Sequence, residues 1–250
     1  MRRAALGLAV LLSTLSPAAS LAATELELGT TYDRLSAPYA DWTSQYLEGS
    51  HTFGPRQTLY GRVQQTRRFG LADQEVMLGG YYPLAPGWTL LTEGSLSPSH
   101  NVLPAWSLLG QCEIELGQGW VGHLGLRRTA YATSGNTREI LGLERYWSRF
   151  RGAYTFSLNQ VDVGGTPASH QLQLSYYYGA RNSLGLTYAF GQEVEPLGGD
   201  RLLVSDVRAV ALGGRHWFLP GWAIAADLDW TEQGRLYQRQ GFRLGLRHLF

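Results

Sequence analysis

Side chains alternate between oily and polar with period two along almost the whole chain, and that period belongs to strands with two unlike faces. In 150–158, Phe150, Gly152, Tyr154, Phe156 and Leu158 share one face, and Arg151, Ala153, Thr155 and Ser157 share the other. In 171–178, Leu172, Leu174, Tyr176 and Tyr178 stand against Gln171, Gln173, Ser175 and Tyr177. In 222–230, Trp222, Ile224, Ala226, Leu228 and Trp230 stand against Ala223, Ala225, Asp227 and Asp229. The last segment sets Phe242, Leu244, Leu246 and Phe250 against Gly241, Arg243, Gly245 and Arg247.

Short turns punctuate this pattern, centred near 55, 87, 118, 148, 181 and 220. Each interval holds two strands. Several turns are followed at once by an aromatic residue: Trp88, Trp120, Phe150 and Trp222. Longer polar segments lie between them, at 35–41, 97–103, 131–137, 160–169, 192–202 and 232–238. Short turns on one side, longer loops on the other and aromatics at a fixed height describe a membrane barrel. Lipid offers a strand's backbone no hydrogen bonds, so the sheet has to close on itself. The expected fold is all-β: a closed up-and-down antiparallel transmembrane barrel of about 14 strands over 24–250. The segments 42–53, 57–68 and 203–217 alternate least clearly, and losing one hairpin would leave 12.

Composition separates this from a soluble sandwich. Charged residues make up 16% of the chain, against about 25% for soluble domains. Glycine is abundant, at 31 residues, and the 21 cationic residues are all arginine. The polar face is built from Gly, Ser, Thr and Gln, too poor in charge for a solvent-facing side. Net charge is +1, which gives nucleic acid no electrostatic hold. One cysteine, Cys112, permits no intrachain disulfide, and it falls on the oily face as a small apolar residue. The six histidines show no metal-ligand spacing, and no phosphate-binding or dinucleotide motif occurs, so neither metal nor cofactor is expected.

The N-terminus reads as a secretory address. Met1-Arg2-Arg3 precedes the apolar run Ala4–Leu12, Pro17 breaks it, and Ser20-Leu21-Ala22-Ala23 offers a small-residue cleavage site. Residues 1–23 are therefore expected to be removed. That would leave 19 basic and 20 acidic residues and an unplugged barrel.

The segments YADWTSQYL (Tyr39 to Leu47) and LYGRVQQT (Leu59 to Thr66), with Arg68-Phe69-Gly70, Gly87-Trp88 and the terminal Phe250, resemble the YaiO family of outer-membrane β-barrel proteins. The resemblance implies a bacterial outer-membrane location and no established enzymatic role. His248 departs from the usual terminal-strand pattern, where an apolar residue or tyrosine stands.

Assigning the polar face to the lumen gives the lining candidates Glu113, His123, Arg127, Asp227, Asp229, Arg243 and Arg247. Glu113 is expected opposite His123, Asp227 opposite Arg243, and Tyr177 opposite Gly185. Trp88, Trp120, Phe150, Trp222 and Phe250 are the expected membrane-interface aromatics. Arg67, Arg68, Arg128 and Arg138 are the candidates for lipopolysaccharide phosphates, which suit a bidentate guanidinium. The expected partners are outer-membrane lipid, lipopolysaccharide and, through the C-terminal strand, the barrel-assembly machinery. Three functions stay open: a narrow passive pore for small polar or saccharide-like solutes, a non-conducting structural, assembly or glycan-export partner, and an outer-rim lipid hydrolase. Ser97-Pro98-Ser99-His100-Asn101 speaks for the hydrolase by bringing Ser, His and Asn together, and Ser50-His51 and Ser169-His170 speak for it less.

Overall fold

The computed structural model describes residues 22–162, 164–196 and 202–250, so all but the last two positions of the expected leader lie outside it. Its regular elements are fourteen strands: β1 (Ala23–Leu35), β2 (Trp42–Gly54), β3 (Gln57–Arg68), β4 (Leu71–Ala85), β5 (Trp88–Leu96), β6 (Trp106–Gly117), β7 (Trp120–Ala130), β8 (Gly135–Trp147), β9 (Phe150–Val161), β10 (Ala168–Tyr178), β11 (Asn182–Pro196), β12 (Leu202–Leu219), β13 (Trp222–Gln233) and β14 (Tyr237–Leu249). Each pairs antiparallel with its sequence neighbours, and β14 pairs with β1 to close the barrel. The twelve-stranded alternative is excluded. The three least regular segments are full strands, because pairing on both sides satisfies their backbone whatever their side chains do.

Local sequence explains the short turns. Gln118 and Gly119 both take left-handed backbone, at φ 51° and 78°. Two such residues make the tight turn whose twist matches a hairpin. Pro86-Gly87 and Pro220-Gly221 use a proline followed by a left-handed glycine instead. At the other end of the barrel several connections are shorter than expected, while the 97–103 segment is longer, at 97–105. The segments 131–137, 160–169 and 232–238 shrink to 131–134, 162–167 and 234–236, because the flanking strands carry on as paired ladders. Part of the expected 192–202 segment lies outside the described residues.

The two faces separate as the alternation predicts. Leu28, Val76, Leu78, Leu108, Leu124, Leu141, Leu186, Leu212 and Leu228 stand exposed around the outer wall. In water such a surface would be untenable; in hydrocarbon each large aliphatic side chain gains about 1.5–3 kcal/mol. Trp88, Trp222, Phe150 and Phe250 are exposed on the outer wall at the short-turn end, and Trp120 starts β7 there with the Arg145 guanidinium over its ring. His248 packs edge-on against both Trp222 and Phe250, with centroids 4.4 Å from each. Its ring does the work of the usual aromatic at that position. Cys112 also faces outward, opposite Leu90 and Leu124.

Candidate functional site

Residues of the opposite parity converge on the barrel axis and build an ion-paired inner wall. In β1, Glu25, Glu27 and Asp33 alternate with Leu26, Leu28 and Tyr32. The closing strand β14 lays Arg247 beside Glu27 and Arg243 beside Thr31. Arg247 donates to Glu27 at 2.6 Å, to Glu25 at 2.7 Å and to Glu48 on β2 at 3.2 Å. Arg243 pairs with Asp227 on β13, and donates to Glu27 and to the Tyr46 hydroxyl, both at 3.2 Å. Tyr46 donates to Glu27 at 2.6 Å, and Arg62 on β3 donates to Glu48 at 2.5 Å. Arg239 lies between Asp33, at 3.6 Å, and Asp229, at 3.4 Å. One ladder of charge therefore runs across β13, β14, β1, β2 and β3.

Missing Cβ atoms make room for it. A methyl at Gly245 would lie 2.5 Å from the Glu27 carboxylate and 3.0 Å from the Tyr46 hydroxyl. A methyl at Gly29 would meet the Tyr46 ring at 2.3 Å. The tyrosine-over-glycine arrangement occurs there and at Tyr60 over Gly79. It does not occur at Tyr177, which faces Ser183 while Gly185 faces Ser175. The hairpin between β10 and β11 turns about Ala180 rather than Arg181, and that shifts the pairing by two residues.

Two smaller groups complete the wall. Arg127 donates to Glu93 at 2.8 Å, and Tyr60 reaches the same carboxylate at 3.0 Å. His123 lies between Glu113, at 3.7 Å, and Glu144, at 3.6 Å, with Arg151 donating to Glu144 at 2.6 Å. All seven expected lining residues face inward, and the cross-strand pairs Glu113–His123 and Asp227–Arg243 form in register. Sequence reasoning did not reach Glu27, Glu48, Tyr46, Arg62, Glu93 or Glu144. The parity of β1, with Glu25 and Glu27 set against Leu26 and Leu28, was the signal available. The arginine partners of Glu25 and Glu27 come from β14, some 220 positions away and joined only by closure.

The arginine set divides. Arg67 is exposed on the outer face of β3, and Arg128 stands on the outer face of β7, bonded by both terminal nitrogens to Asp162 at 2.7 and 2.6 Å. Arg68 and Arg138 correct the expectation of lipopolysaccharide contact. Arg68 has inward parity and lies over the Trp42 ring at 4.8 Å, with Arg239 at 5.5 Å from the same ring. Arg138 points inward and donates to Asn159 at 2.9 Å. Adjacent positions on a strand face opposite ways, so Arg67 and Arg68 cannot act on one surface, and neither can Arg128 and Arg138, because Arg138 is paired with Arg127. Trp42 also anchors a cluster at the loop end, with Leu35, Tyr237, Tyr39, Phe69 and Leu236.

The 97–101 segment does not assemble a nucleophile. His100 turns Nδ1 toward the carbonyl oxygens of Ser97 and Pro98, at 3.2 and 3.1 Å. The Asn101 amide is spent on Asp73 and the Ala72 carbonyl. Outside the membrane, Asp162 and Asp41 have carboxyls held below the usual range. The Arg128 guanidinium does this for Asp162, and the Tyr32 hydroxyl with the Leu35 amide does it for Asp41. Among the described residues no group of three or more potential ligands could hold a metal ion.

Comparisons fit this architecture. A family model described as the YaiO membrane beta barrel domain matches residues 23–195. No curated protein matches the sequence. Among solved structures, Pseudomonas aeruginosa OpdQ superposes with a TM-score of 0.54 at 7% identity, covering 92% of this chain and 98% of that one. Salmonella typhi OmpF, in complex with daunomycin, gives 0.53 at 7% identity and covers 92% and 97%. Pseudomonas aeruginosa OpdO gives 0.52 at 10% identity, again over 92% and 97%. At these identities the likeness is one of fold.

Proposed function

The chain belongs to the YaiO membrane beta barrel family, and we propose that this outer-membrane barrel is a narrow passive pore for small polar or saccharide-like solutes. One observation carries the reading. Inward side chains stay accessible to solvent although they face the axis: Asp229 is 29% and Arg243 27% exposed in the ladder, and Arg127 29% in the group beside it. A wet, charged axis inside an oily wall is the arrangement of a conducting barrel. The wall from β9 to β11 adds neutral donors and acceptors, including Thr155, Gln171 and Gln173, of the kind a hydroxylated solute exchanges for water. Every ladder arginine already shares its charge with carboxylates, so the wall favours polar solutes over bare ions of one sign. Purified protein in a planar bilayer should give discrete current steps, and liposomes carrying it should swell in small sugars. A current no higher than lipid background rejects the pore.

A structural role has its own support. Glu27 is 1% exposed and takes donors from β14 and β2 together. A ladder this tight would brace a barrel that conducts nothing, and a silent bilayer with an intact fold selects that reading. For partners, we propose that Arg67 meets lipopolysaccharide phosphate at the outer rim. Arg67→Ala protein should then co-purify with less lipopolysaccharide, and unchanged retention dismisses the contact. The alternate outward positions Phe242, Leu244, Leu246 and Phe250 of the last strand are what we propose the assembly machinery reads.

A further inference from the structure

The connection between β5 and β6, residues 97–105, is nine residues long and the longest among the described residues. It does not stand out from the rim. Asp73 is inward-facing and buried, on the neighbouring strand β4, opposite the buried Thr66. Its carboxylate accepts from the backbone amides of Asn101 at 2.9 Å, Val102 at 2.6 Å and Leu103 at 2.9 Å, and from the Asn101 side chain at 3.0 Å. Val102 and Leu103, apolar residues at the tip of a loop, are only 2% and 7% exposed. At its base the loop is closed by Ser97 donating to the Ala105 carbonyl at 2.9 Å.

We infer that Asp73 is the positioning residue that folds loop 97–105 onto the inner wall of the outer mouth, and so sets how wide the way in is. Three consecutive backbone amides aimed at one side chain need an acceptor with two free oxygens. Only an ionised carboxylate offers that; an amide of the same shape turns a donor toward donors. The aromatic cluster around Trp42 narrows the mouth beside β1, β2 and β14, and the Asp73 loop narrows it beside β4 and β5. The control of width rests on the pore reading; the anchoring of the loop does not.

Asp73→Asn keeps the size and replaces one acceptor oxygen by a donor. Its folded state is checked by heat-modifiable electrophoretic mobility. Thermolysin should then cut intact protein before Val102 about tenfold faster or more than wild type, because cleavage follows the population of the released loop. Asn101→Ala, which leaves the wall untouched, should fall between the two. Single-channel conductance of Asp73→Asn should rise above wild type. Equal cleavage in all three proteins overturns the anchor. Faster cleavage with unchanged conductance overturns the control of width. Silence in both proteins with faster cleavage rejects the pore and keeps the anchor.

Discussion

At the residue scale the barrel is decided by how few side chains hold its seam. Glu27 accepts from Arg243, Arg247 and Tyr46, and lies where Gly245 leaves space. Removing one partner of a buried pair strands the rest of the charge. Glu27→Gln should therefore lower unfolding free energy by about 3 kcal/mol, read by urea titration in lipid vesicles. A loss below about 1 kcal/mol would mean that water already does most of the ladder's work. The same scale contains a pH effect. The Asp162 carboxyl titrates below its ordinary 3.8 because the Arg128 guanidinium favours its charged form. That stabilisation is complete above pH 3.8 and is lost as pH falls through the lowered value. In Arg128→Ala the Asp162 titration should move up to the ordinary range by NMR. An unmoved titration would place its cause elsewhere. Individual charges such as Asp227 and Arg243 were legible from parity and turn position. Arg68 and Arg138 were not, because proximity to a strand end says nothing about which way a side chain points.

Elements are set by pairing more than by propensity. The strands 42–54 and 202–219 alternate poorly, yet both are complete, since an unpaired strand in a membrane leaves its whole backbone unsatisfied. That force also lengthens strands at the loop end and consumes segments whose polar composition reads as loop. Register then depends on details a pattern does not carry, such as Ala180 rather than Arg181 at the centre of a turn. Close cross-strand packing makes a sharp prediction. Gly29→Ala drives a methyl into the Tyr46 ring and should break the Tyr46–Glu27 bond, at a cost of about 1–3 kcal/mol in the same urea titration. Gly94→Ala, with nothing closer than 3.8 Å, is the matched control and should lie near wild type. Equal effects at both positions would show that glycine acts through backbone freedom and not through the space it leaves.

For the molecule as a whole, everything turns on which face meets lipid. Leu228 is 58% exposed on the outer wall, one residue from the inward pair Asp227 and Asp229. Leu228→Arg should lower stability in vesicles by about 2–4 kcal/mol if that face lies at mid-membrane. A neutral result would place the oily face somewhere other than in hydrocarbon. The 97–101 segment does not bring its Ser, His and Asn into a catalytic arrangement, because Asn101 is held by Asp73 of the inner wall and His100 by its own loop's carbonyls.

The order of residues alone determined the fold class, the short-turn end with its aromatics and the parity that sends Leu out and Glu in, and it left 12 or 14 strands for pairing to decide. These follow from local rules: a period of two, turn chemistry, and a solvent without hydrogen bonds. Closure decided the rest. Only when β14 meets β1 do Arg247 and Arg243 reach Glu25 and Glu27, and only the fold of loop 97–105 brings its amides to Asp73. Such contacts join residues far apart in the chain, and no local pattern encodes them. They form because closing the sheet sets inward charges of the first and last strands side by side.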